Sequence, residues 1–174
     1  MKATIVYESM FGNTERVAKA VADGLSRHAE VDVVNVDDVG SVPETGLLVV
    51  GGPTHVRGLS WPSSRAEAAR QAMDEVRSKK NLRDWLGTLD RTSGGTPVAT
   101  FDTRIGKPRW LAGSAAIAAE RRLKRLGFLP LVPPESFFVD TEKEETVLRD
   151  GELQRARDWG ASLGEHFASL RAVG

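Results

Sequence analysis

The chain of 174 residues has no cysteine. That excludes disulfide staples, thiolate zinc sites and cysteine nucleophiles, and it leaves the redox compartment unmarked by thiol usage. Redox chemistry here needs a borrowed group. Charge of one sign is also missing: 24 Lys and Arg balance 24 Asp and Glu. No global field therefore draws the molecule to nucleic acid or to an anionic membrane, and binding has to be local. The opening stretch Met1 to Tyr7 carries one basic residue and an apolar run too short for a signal segment or a span, so the default expectation is a soluble cytoplasmic protein. The three histidines, His28, His55 and His166, fall on separate segments with no carboxylate or histidine at ligand spacing, which argues against a metal centre. The one Gly-x-Ser-x-Gly match, Gly160 to Gly164, falls inside the stretch read below as the last helix and not at a strand-to-helix turn, so it makes no nucleophile elbow.

What is present is enough apolar material, 40% of the chain, to close one core, and the length predicts a single domain over residues 1–174. Ala3 to Tyr7 is a β-branched apolar run read as a buried strand. From Asn13 the period changes: Val17, Ala20, Val21, Gly24 and Leu25 form one helical stripe, with Asn13 or Thr14 as the N-cap. Val31, Val33, Val34 and Val36 give a second strand and Leu47 to Val50 a third, apolar enough to be covered on both faces. Arg65 to Arg77 reads as a helix, Leu82, Trp85, Leu86 and Leu89 as a shorter apolar face, and Thr92 to Gly95 as a breaker. Pro97 to Phe101 is the fourth strand. Gly113 to Leu126 is a helix closed by Gly127, with its basic residues largely outward. Phe128 to Val139 holds the fifth strand, disturbed by Pro130, Pro133 and Pro134. Glu142, Glu144 and Glu145 follow as a solvated turn, and Leu153, Ala156, Gly160, Leu163, Phe167 and Leu170 line a last helix.

Five strands interleaved with helices predict a doubly wound α/β structure, whose ligands sit beyond the carboxyl ends of the strands, where the loops after strands one, three and four converge. The first of these, Ser9, Met10, Phe11, Gly12, Asn13 and Thr14, joins a strand to a helix N-terminus, where free amides and the helix dipole favour a phosphate. Ser9 and Thr14 add hydroxyls and Gly12 permits close approach. The loop has no lysine and no Gly-x-x-x-x-Gly-Lys pattern, so a phosphate monoester held mostly by dipoles is favoured over a nucleoside triphosphate.

The run Ile-Val-Tyr-Glu-Ser-Met-Phe-Gly-Asn-Thr-Glu-Arg-Val-Ala resembles the phosphate-binding loop of flavodoxin-like FMN proteins, and Ser-Met-Phe-Gly is similar to the Ser-Met-aromatic-Gly version of flavodoxin-like quinone reductases. Phe11 replaces a hydroxyl residue of the usual flavodoxin loop. The resemblance extends over essentially the whole chain, including Asp150 to Gly160, which is similar to the last-helix signature of such domains. It implies a five-stranded parallel sheet in the order 2-1-3-4-5 with helices on both faces, and FMN as cofactor. By the same resemblance Gly51 to Pro62 wraps the flavin ring, with Pro53, Thr54, His55, Val56, Arg57 and Gly58 at the cofactor. Glycines there would let the backbone approach the flavin plane, and His55 or Trp61 could stack on it. In the third loop Asp102 and Thr103 are candidates for the pyrimidine edge, and Arg104, Lys107 and Arg109 make a basic rim. No aromatic follows strand four directly, Trp110 standing several residues on, so one flavin face would be open.

Three functions remain on the sequence: an FMN-dependent electron carrier between protein partners, an FMN-dependent NAD(P)H:quinone-type oxidoreductase with a nicotinamide donor and a small-molecule acceptor, and a flavodoxin-like domain that binds another flavin or none and regulates by interaction. Shuttling flavodoxins are strongly acidic, and the neutral balance here leans away from that type. Nucleic-acid and membrane partners are not expected. An oligomer is open, with the Trp85 segment and Pro133-Pro134 as candidate surfaces.

Overall fold

The computed structural model describes residues 1–54, 58–60, 77–92, 94–106, 113–142 and 145–172. Strand β1 (Lys2–Tyr7) is followed by helix α1 (Asn13–Leu25), β2 (Glu30–Asn35), β3 (Leu47–Pro53), α2 (Leu82–Thr88), β4 (Pro97–Ile105), α3 (Ala115–Arg125), β5 (Leu129–Pro130), β6 (Glu135–Glu142), β7 (Glu145–Leu148) and α4 (Glu152–Ala172). The helix expected over 65–77 lies outside the described residues apart from Arg77.

The sheet runs β2-β1-β3-β4-β6-β7, with β5 also paired to β4. All pairings are parallel except β6 with β7. The expected order 2-1-3-4-5 holds, with the fifth strand broken in two. Pro97 pairs Leu129 and Phe101 pairs Glu135, so β5 and β6 occupy one lane beside β4. Pro133 and Pro134, which lack an amide donor, fall in the gap between them.

Alternation along the central strands divides the core. Ala3, Ile5, Leu47, Val49, Ala99 and Phe101 face the side covered by α1 and α4. Val6, Leu48, Val50 and Val98 face α2 and α3. This is the two-sided burial that a continuous apolar strand requires. The stripe Val17, Ala20, Val21, Gly24 and Leu25 is buried as its spacing predicts. Where α1 crosses α4 the backbones nearly touch: a Cβ on Gly160 would strike the carbonyl of Val21, and one on Gly24 the carbonyl of Arg157. At the far end of α4, Leu170 is exposed rather than inward.

Two further differences bear on the site. Strand β4 continues to Ile105 instead of ending at Phe101, so Asp102, Thr103 and Arg104 are strand residues, and all three are buried. The acidic run after strand five turns a hairpin, Glu142 pairing Glu145, that leads into β7. Among the described residues no helix is long and apolar enough to cross a membrane.

Candidate functional site

The loops after β1, β3 and β4 meet at the carboxyl end of the sheet. The Glu8 amide donates to the Gly51 carbonyl, and the Thr54 amide to the Thr103 carbonyl. Thr14 in the first turn of α1 shares a 2.8 Å hydrogen bond with the Thr103 hydroxyl.

The first loop is shaped by Ser9 and Gly12. Gly12, not Asn13 or Thr14, is the N-cap of α1, with φ +88° in the left-handed region, and it supplies no side-chain cap. Ser9 caps the helix in its place, its Oγ accepting the amides of Gly12 (3.1 Å) and Glu15 (3.3 Å). Asn13 turns to another use, its Nδ2 donating to the Thr146 carbonyl and hydroxyl on β7. Ser9, Met10 and Thr14 are buried, whereas Phe11 is exposed.

These groups fit a phosphate monoester. Ser9 Oγ has both acceptor positions engaged by amides, which leaves its O–H to donate outward of that pair. One of Thr14 and Thr103 must donate to the other, which leaves one hydroxyl proton between them. The first helical amides, Asn13 and Thr14, lie before any intrahelical acceptor and stand at the positive end of the dipole. At Gly12 the space beside the backbone is tight as well as left-handed: an added Cβ would lie 2.9 Å from Cζ of Arg77.

The second and third loops hold each other as much as they face outward. Asp102 is fully buried, and its Oδ2 accepts the Thr54 hydroxyl (3.0 Å), the Ser114 hydroxyl (2.6 Å) and the Ala116 amide (3.1 Å). Thr54 Oγ1 in turn accepts the Ala115 amide. Asp102 and Thr54 thereby fasten the start of α3 to the ends of β3 and β4. Asp102 Oδ1 has no hydrogen-bond partner among the described residues; the Arg104 Nε stands 4.0 Å away. Arg104 itself is only 7% exposed, donates to the Ser136 hydroxyl and stacks over Phe138 at 5.2 Å. It therefore belongs to the sheet interior and not to a basic rim.

Gly51 and Gly52 also have duties inside the fold. The Phe101 ring fills the space beside Gly51, and Leu82 the space beside Gly52, so their lack of a side chain serves packing rather than approach to a ligand. Pro53 closes β3 opposite Thr103. Gly58 is buried, yet a Cβ there would meet nothing within 4 Å. His55, Val56, Arg57, Trp61, Lys107, Arg109 and Trp110 lie outside the described residues.

Two groups escaped the sequence reading. Glu8, the residue directly after β1, is fully buried and accepts the Ser60 hydroxyl on both oxygens (2.7 and 2.9 Å) and the Leu82 amide (2.8 Å), tying the first and second loops to α2. The segment Arg77-Ser78 lies against the first loop: the Arg77 amide donates to the Met10 carbonyl, the Ser78 amide to the Ser9 carbonyl, and the Ser9 amide to Ser78 Oγ. Glu8 carried a weak signal, a carboxylate directly after a buried strand. The contacts of Arg77 and Ser78 carried none, since they join segments almost seventy residues apart.

Comparison with known proteins agrees with this geometry. The sequence pattern of the flavodoxin family matches residues 5–107. A flavodoxin of Clostridium saccharobutylicum is 33% identical over 139 residues, 74% of this chain and 82% of the relative. Flavodoxin FldP of Pseudomonas aeruginosa (strain UCBPP-PA14) is 32% identical over 90 residues, 43% of this chain and 47% of that one. Among solved structures, a flavodoxin from the domain Archaea superposes with a TM-score of 0.66 at 20% identity, covering 97% of this chain and 99% of the other. The chain belongs to the flavodoxin family, electron-transfer proteins whose cofactor is FMN.

Proposed function

We propose that the loop Ser9 to Thr14 holds the phosphate of FMN and that the flavin ring rests against the residues following β3 and at the end of β4, so that the protein passes electrons between redox partners. When bound, the flavin supplies the electron-accepting and electron-donating chemistry that this chain's own side chains lack. The protein's part is to bind and orient. Ser9 and the Thr14–Thr103 pair offer hydroxyls, Met10, Phe11, Asn13 and Thr14 offer amides, and the wall for the ring is assigned to Pro53, Thr54 and Gly58 with Asp102 and Thr103. Asp102 Oδ1, buried and with no hydrogen-bond partner among the described residues, is the acceptor proposed there for an N–H of the pyrimidine edge. The observation that carries the reading is the first loop itself, in which a left-handed glycine and a capping serine hold α1's first amides open within the span matched by the family.

An electron carrier is the leading form of this function, in keeping with the flavodoxin names of both relatives. One observation favours a second form, an NAD(P)H:quinone-type oxidoreductase: the net charge of zero gives no overall negative field for steering onto a basic redox partner. The absorption spectrum of the purified protein tests the shared premise. A yellow protein that releases FMN on heating supports it; a colourless one that takes up no added FMN refutes it. With FMN in place, sustained oxidation of NAD(P)H by a quinone selects the oxidoreductase, and none above free flavin selects the carrier.

A further inference from the structure

The cations around the first turn of α1 do not come from the loop. Arg77 Nη1 donates to Glu15 Oε2 at 2.9 Å, and Lys19 Nζ to Glu15 Oε1 at 2.6 Å. Among these three side chains, two positive charges meet one negative charge beside the amide end of the helix. The Arg77 guanidinium also lies directly over Gly12, where a Cβ would come within 2.9 Å of Cζ, 3.1 Å of Nε and 3.2 Å of Nη1. Its backbone is fixed there by the bonds from Arg77 to the Met10 carbonyl and from Ser78 to the Ser9 carbonyl.

Resting on the reading of Ser9 to Thr14 as a phosphate cradle, we propose that Arg77 is a specificity residue of that cradle, pairing with the phosphate of FMN while Glu15 holds its other edge. A guanidinium has five donors in a planar fork, so one edge can serve a carboxylate and another a phosphate oxygen. A surface ion pair with Glu15 alone contributes little, and it gives no account of why the guanidinium covers the one loop residue without a side chain. A phosphate monoester, carrying nearly two negative charges at neutral pH, complements the two cations that share Glu15. Arg77 would therefore favour FMN over riboflavin, which has the same ring and no phosphate.

The test is titration of the flavin-free protein with FMN and, separately, with riboflavin, followed by quenching of flavin fluorescence. Arg77→Ala is expected to weaken FMN about tenfold at low ionic strength while leaving riboflavin unchanged, the size of a charge-assisted hydrogen bond at a half-exposed site. Arg77→Lys should retain part of the difference, and wild-type FMN affinity should fall more steeply with salt than that of Arg77→Ala. Should Arg77→Ala fail to fold, Arg77→Gln carries the same readout. Equal losses for both flavins, or an unchanged preference for FMN in the variants, overturn the role of Arg77 and leave the cradle standing. A wild-type protein with no preference for FMN over riboflavin overturns both.

Discussion

Gly12 is the residue on which the loop depends, because it combines a left-handed backbone, φ +88°, with a guanidinium packed where a side chain would begin. An alanine there meets strain and crowding together, and Gly12→Ala is expected to lower stability by about 1–2 kcal/mol in urea unfolding and to weaken FMN in the same protein. Glu15 offers a test by pH. The hydrogen bond from Lys19, with help from Arg77, holds its carboxyl below the ordinary value of 4.5 against the opposing effect of burial. A depressed pKa means that the folded protein binds the proton less readily than the unfolded chain. The contribution is therefore complete above pH 4.5 and disappears as pH falls through the lower folded value. Lys19 and Arg77 are more than half exposed, so Glu15→Gln should cost under about 1 kcal/mol at pH 7, and the gap from wild type should close in unfolding curves taken below pH 4.5. A gap of constant size across that range would show that the carboxylate charge is not what stabilises.

At the scale of elements, the sheet and helices are joined by a few polar brackets and by one close crossing. Asp102 gathers the Thr54 hydroxyl, the Ser114 hydroxyl and the Ala116 amide on a single oxygen. Asp102→Ala leaves three donors without their acceptor, and a loss of about 3 kcal/mol is expected from denaturant titration, with α3 the first element to lose protection in hydrogen exchange. The α1–α4 crossing depends on small size instead. Gly160→Ala forces the helices apart and should destabilise by roughly 1–3 kcal/mol, a change that thermal unfolding would detect. The same elements explain what could be read from the sequence. The α1 stripe and the central strands were legible because burial on one or both faces imposes a period on apolar residues. Residues 102–104 of β4 were not, because Asp102, Thr103 and Arg104 are polar residues whose partners, among them Ser114, Thr14 and Ser136, come from other elements. The β6–β7 hairpin was hidden by an acidic turn whose pairing has no local signature, and Arg77 joined the site through contacts that no spacing rule anticipates.

For the whole molecule, the sheet places the described residues of the first loop, Thr54 and Thr103 at one end and leaves two apolar cores to support it from either side. The balance of 24 cations and 24 anions means that no net charge of one sign steers a partner over long range. The proposed grip on the phosphate of FMN lies in the turn between β1 and α1. An amide-resolved nuclear magnetic resonance titration of the flavin-free protein with FMN addresses this directly. The prediction is saturable movement of the amide signals of Phe11, Gly12, Asn13 and Thr14, with riboflavin moving them much less. Signals from these four residues that stay in place while FMN binds elsewhere, or fails to bind, would contradict it.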